Sequence, residues 1–97
     1  VEFEVDGEVI EWRGPAPYLF LPLHPEDSDL LAASPELSYG WGCVAAEVTV
    51  GATTFSTSLM PHQGDYLVPL KVVVQRAEGL GVGDRVRARV RVRGPRS

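Results

Sequence analysis

Ser58, His62, Tyr66 and Lys71 fall in one stretch, "TSLMPHQGDYLVPLK", which offers a hydroxyl, an imidazole, a phenol and an amine. If the loop folds back, Ser58, Tyr66 and Lys71 converge near one end of a small domain. Such a set is suited to recognising an anion. A lysine at a helix start is disfavoured by the helix dipole, so its amine has reason to reach a carboxylate or another anion. The competing reading is an exposed lysine whose stem lies along apolar surface. Trp41, between Gly40 and Gly42, reads either as an indole packed over a tight turn or as an aromatic lip beside a pocket. No catalytic residue is legible. Ser58 and His62 lack the orienting acid and oxyanion site that nucleophilic catalysis needs.

Metal and cofactor chemistry is not expected. His24, His62 and Cys43 are too few and too far apart for any standard ligand spacing. "EDSD" reads as helix N-terminal acids rather than a cation site. "GLGVGD" lacks the strand before it and the helix after it that a dinucleotide site requires. Cys43 is the only cysteine, so no intrachain disulfide can form, in keeping with a reducing compartment. A packed small side chain is the expectation for it.

A second possible chemistry lies in "RVRARVRVR", where arginines occupy positions 85, 87, 89, 91 and 93. On a strand all five point to one side, while Val86, Ala88, Val90 and Val92 point into the core. Like charges at this spacing repel without partners. Glu2, Glu4 and Asp6 alternate in the same way with Val1, Phe3 and Val5. Antiparallel pairing of the two chain ends would set acid against base on one face. The expectation is therefore an internal ion-pair ladder, and the alternative is a nucleic-acid face built on Arg87, Arg89 and Arg91. The net charge of −4 disfavours nucleic acid and anionic membranes. Basic residues nonetheless concentrate late in the chain: Arg13 is the only one before Lys71.

The elements that must position these residues are short. The 97 residues bound one small domain, 1–97, with an ordinary 44% of hydrophobic residues. No apolar run approaches the ~20 residues of a membrane helix. No signal-like start is read, and the expected location is cytoplasmic. "VEFEV" has the period of a half-buried strand. Ile10 and Trp12 continue on the parity of the acids, which predicts a bulge near Gly7. "YLFLPL" reads as a strand covered on both faces, and "HPEDSDLLAAS" as a short helix with Pro25 in its first turn. Val44, Ala46, Val48 and Val50 share one face of a strand. Gly51-Ala52 makes a hairpin turn into a partner strand carrying Phe55, Thr57 and Leu59 on one face. "PHQGD" reads as a turn and Tyr66 to Val68 as a strand. Leu70, Val73, Val74 and Ala77 recur at helical spacing, predicting a helix over 70–78 that ends at Gly79.

"YLFLPL", "GWGCVAAEVTVG", "TFSTSLMP", "YLVPLK", "QRAEGL" and "VGDRVRARV" occur in this order. Together they resemble a family of small bacterial and archaeal domains, domain of unknown function 1905. The resemblance implies a compact β-barrel of the double-split class with helices over its openings, and it carries no established activity. Family members commonly have aromatics at the positions of Tyr18, Phe20 and Phe55. Gln75 departs from the usual basic residue, while Arg76 keeps one nearby. The segment "VPLKVVVQRAEGLGVGDRVRARV" is also similar to the helix–turn–strand of AbrB-type transcription factors, in keeping with the same barrel class.

The expected fold is mainly β: a small closed or double-split β-barrel of about six or seven strands with two short helices. The expected function is a non-enzymatic binding module for a small anionic ligand or peptide, held by Trp41, Ser58, Tyr66 and Lys71. The alternative is nucleic-acid binding through Arg87, Arg89 and Arg91. A monomer or a homodimer fits either.

Overall fold

The computed structural model describes residues 2–12, 18–34, 36, 38–39, 43–62 and 65–93. Its first strand, β1 (Glu2–Glu8), runs antiparallel to the last, β8 (Arg85–Val92). Glu2 stands opposite Arg91, Glu4 opposite Arg89, Asp6 opposite Arg87 and Glu8 opposite Arg85. Val5, Val86, Ala88 and Val90 are buried on the other face. The period-2 alternation of both segments thus becomes a two-sided pair, apolar within and charged without.

Gly7 is not bulged. It pairs with Val86 in unbroken register, and Val9 stays on the buried parity of Val5. Val9 donates its N–H to the Asp84 carbonyl at 2.9 Å and accepts one from Gly83 at 2.9 Å. Beyond it the chain changes partner. Strand β2 (Ile10–Trp12) leaves β8 and pairs with β3 (Tyr18–Pro22). Ile10 faces outward and is 37% exposed. The apparent phase slip was an apolar residue on the outer face. A Cβ on Gly7 would meet Leu21 Cδ1 at 3.4 Å, an ordinary contact. Gly7→Ala is therefore expected to change the unfolding free energy by no more than about 0.5 kcal/mol, as read from urea denaturation. A loss several times larger would restore the bulge.

Helix α1 (Pro25–Ala32) follows. Pro25 opens it, and Glu26 and Asp27 lie in its first turn. Burial pushes the Asp27 carboxyl above its usual range, against the smaller opposing effect of His24. Strand β4 (Ser38–Tyr39) is short and pairs with the start of β5 (Cys43–Val50). Strand β5 also pairs with β8 and with β6 (Thr53–His62). Gly51 turns the β5–β6 hairpin at φ 57°, in the left-handed region that favours glycine. Strand β6 runs through Pro61 and His62, which pair with Tyr66 and Asp65 of β7 (Asp65–Leu70). The connection is thus shorter than "PHQGD", and Gln63 and Gly64 lie outside the described residues.

Helix α2 spans Val72–Glu78, with Gly79 left-handed at its C-cap (φ 65°). The helical spacing predicted the stop correctly and the buried face incorrectly. Leu70 belongs to β7, and of the helix residues only Val74 is buried. Val72 and Val73 are 58% and 69% exposed. The helix is anchored by polar bonds as well as by Val74. Gln75 Nε2 donates to the Leu70 carbonyl at 2.7 Å, and Thr53 Oγ1 donates to Glu78 Oε2 at 2.6 Å.

The protein is mainly β. Among the described residues eight strands form one curled sheet in the order β1-β8-β5-β6-β7-β3-β2, with β4 beside β5. The count exceeds six or seven because β1 and β2 are two parts of one bent strand and β4 is only two residues long. The ends of the order are therefore consecutive in sequence, separated by Val9. One buried cluster unites Val5, Leu21, Val48, Leu59, Val68 and Val90 from six of the strands.

Candidate functional site

The outward side chains of β5 and β6 are unusually small. Cys43 and Ala45 on β5 and Ser56 and Ser58 on β6 occupy this face, with Ala45 directly opposite Ser58. Small residues on an outer sheet face leave a depression where longer neighbours stand beside it. Met60 and Pro69 supply apolar sides and Lys71 a charged one, enclosing an open groove of about 630 Å³. That is within the usual size range of small-molecule sites, roughly 300–1,000 Å³.

Lys71 caps the N-terminus of α2 in an extended conformation. Its side chain turns back over β6, and Nζ donates to the Ser56 carbonyl at 3.0 Å. Among the described residues it makes no ion pair. It is also the sole charged residue among the described residues of the groove lining. An ammonium carries three donors, so one bond to Ser56 leaves capacity for a ligand.

Of the four residues expected to form a site, Ser58 and Lys71 share this groove. Tyr66 does not line it: its side chain packs in the buried core and is 8% exposed. Trp41 lies outside the described residues. The groove also lies on the outer face of the sheet, where an end of the barrel was expected. Sequence reasoning missed Ala45, Ser56, Met60 and Pro69 as lining residues, and read Cys43 as packing alone. The available signal was the run of small residues on the outward parity of two adjacent strands.

Among the described residues, four of the five strand arginines, all but Arg93, have acidic partners. Arg85 Nε is 3.2 Å from Asp6 Oδ1, Arg89 lies 3.8 Å from Glu4, and Arg91 lies 3.9 Å from both Glu2 and Glu47. Arg87 reaches Asp6 at 4.0 Å. All are exposed, so each pair contributes only about 0–1 kcal/mol. A small dent of about 180 Å³ between Glu2, Glu47, Thr49, Arg89 and Arg91 holds two carboxylates against two guanidiniums. Arg89→Glu would face Glu4 with a like charge and is expected to cost up to about 1 kcal/mol. Glu4→Arg in that background should recover most of the loss, and ~1 M salt should compress both effects. Urea denaturation of the four-member cycle reads this, and strictly additive losses would refute the pairing.

Two polar contacts tie α1 and its N-cap to the sheet. The Asp6 N–H donates to His24 Nε2 at 3.3 Å, and the buried Tyr66 N–H donates to Ser28 Oγ at 3.1 Å. Among the described residues no group of three or more His, Cys, Asp or Glu is placed to hold a metal. No helix among them is long and apolar enough to cross a membrane.

Fold and site together define a small, mainly β domain: among the described residues, one curled sheet, two short helices and an open groove on the sheet's outer face. The chain belongs to the family described as domain of unknown function 1905, whose model matches residues 6–90. No curated protein matches it.

Proposed function

We propose that this domain is a non-enzymatic binding module whose ligand, a small anionic molecule or a peptide, lies in the outer groove with Lys71 as its charged contact. The observation that carries the reading is the groove's charge: one ammonium and no carboxylate among its described lining residues. Floor residues as small as Ala45 and Ser56 leave room for a ligand, and Met60 and Pro69 give it an apolar surface. Ser58 contributes to the floor, and Trp41 precedes Cys43 by two positions in the chain. On this reading the curled sheet is a small closed barrel of the double-split kind. Its rigidity holds the groove open, supported by the direct continuation of β1 into β2 at the two ends of the strand order.

Nucleic-acid binding through Arg87, Arg89 and Arg91 has less support. Phosphates would have to displace Asp6, Glu4, Glu2 and Glu47 from those guanidiniums. Steeply salt-dependent retention on DNA or RNA would reverse that preference.

The location is tested by titrating isotope-labelled protein with a fragment set of acids, amides, alcohols and short peptides while following backbone amides. Shifts are expected at Ala45, Ser56, Ser58 and Lys71. For charged fragments the affinity should fall about tenfold in Lys71→Ala, the size of one charge-assisted hydrogen bond. Shifts centred on another surface, or none at all, would refute the groove as the site.

A further inference from the structure

We infer that the groove selects monocarboxylates carried on an apolar body, with Lys71 pairing the carboxylate and the Met60–Pro69 side taking the apolar part. This deepens the groove reading above and depends on it. The argument is one of charge number and shape. A phosphate dianion is ordinarily held by several donors at once, such as a bidentate arginine or converging backbone N–H groups. Among the described lining residues a single ammonium faces the groove, and one of its donors is already engaged with the Ser56 carbonyl at 3.0 Å. That matches one carboxylate. The other described lining residues carry no charge: Cys43, Ala45, Met60 and Pro69 are apolar or small, and Ser56, Thr57 and Ser58 bring neutral hydroxyls. A compact, strongly hydrated dianion would exchange its water there for one ammonium and neutral hydroxyls, with no second charge to offset the loss, whereas an aliphatic or aromatic tail gains by burial.

The chain carries its own reporter for this selectivity. Cys43 is its only cysteine, is partly exposed and lines the groove. Iodoacetate and iodoacetamide alkylate a thiolate by the same displacement: the sulfur–carbon bond forms, iodide leaves, and the thiol proton goes to buffer. They differ in one negative charge. If Lys71 gathers carboxylates into the groove, the iodoacetate-to-iodoacetamide rate ratio at Cys43 should exceed that of glutathione by roughly fivefold at low salt, the effect of one unit charge at ~4 Å in water. The excess should vanish in Lys71→Gln, which keeps a donor for Ser56 but no charge, and persist in Lys71→Arg. Butyrate should protect Cys43 and butyramide should not.

A rate ratio equal to that of glutathione, or unchanged by Lys71→Gln, overturns the selectivity. Equal protection by butyramide and butyrate also overturns it, while leaving the groove itself as a binding site. If neither compound protects and no fragment shifts the groove amides, the groove reading fails as a whole.

Discussion

Leu21→Ala is expected to lower the unfolding free energy by about 2–5 kcal/mol, the range for removing a fully buried leucine without collapse of the cavity. Leu21 is 0% exposed and pairs with Val68 across β3 and β7. Its Cδ1 also lies beside Gly7 on β1, the strand at the other end of the sheet order. One side chain thus links β1, at one end of the sheet order, to β3, the neighbour of the other end strand. For a domain of this size the loss is a large part of the ~5–15 kcal/mol total. The midpoint of thermal unfolding should fall on the order of 10–20 °C. Leu21→Met, which conserves volume, should cost less than about 1.5 kcal/mol. Chemical denaturation monitored by tryptophan fluorescence reads both. A loss below ~1 kcal/mol for Leu21→Ala would mean that β1 and β3 do not share a core.

Ser28→Ala is expected to cost about 1–3 kcal/mol, although it removes only one oxygen. Ser28 is 0% exposed, and its Oγ accepts the N–H of Tyr66 from the opposite side of the α1–β7 contact. Alanine leaves that N–H buried without an acceptor, and an unmade buried hydrogen bond costs more than a formed one contributes. Ser28→Thr keeps the acceptor and should cost less than the alanine variant. Amide exchange at Tyr66 should accelerate in Ser28→Ala beyond the global loss of stability, because the donor is freed locally. Wild-type exchange at Tyr66 in a destabilised Ser28→Ala protein would show that another group takes over the bond.

How far the sequence speaks depends on whether a signal is periodic. The alternation in "VEFEV" and "RVRARVRVR" specified faces, and opposite charge signs specified the pairing, because a one-residue slip would bury the whole charged set. The chain ends do lie antiparallel with acid against base. The family resemblance was also legible, since several short motifs recur in order. Helix α2 was legible as a helix through its Gly79 stop and misread in its contacts. Val73 and Ala77 satisfied a helical stripe that the structure leaves exposed, because seven residues docked beside β6 bury one side chain, Val74. The Gly7 bulge was an inference from parity alone, and it failed because Ile10 faces outward.

The candidate site divides in the same way. Lys71 and Ser58 could be picked out by residue type and by their nearness in the chain. Tyr66 had the same credentials, yet β7 turns its ring into the core. Cys43 and Ala45 come from a strand earlier in the sequence, and only the pairing of Ala45 with Ser58 brings them into one groove.

Alternating polarity and charge determined which faces of β1 and β8 meet water and that the two ends of the chain belong together, and the glycines marked turns. These are properties of a few consecutive residues and of the cost of burying charge. Tertiary structure decided that Leu21 of β3 packs beside Gly7 of β1, that Ser28 completes a buried hydrogen bond, and that small side chains from two strands leave a groove beside Lys71. Each of those depends on which distant segments become neighbours, and no local period encodes that choice.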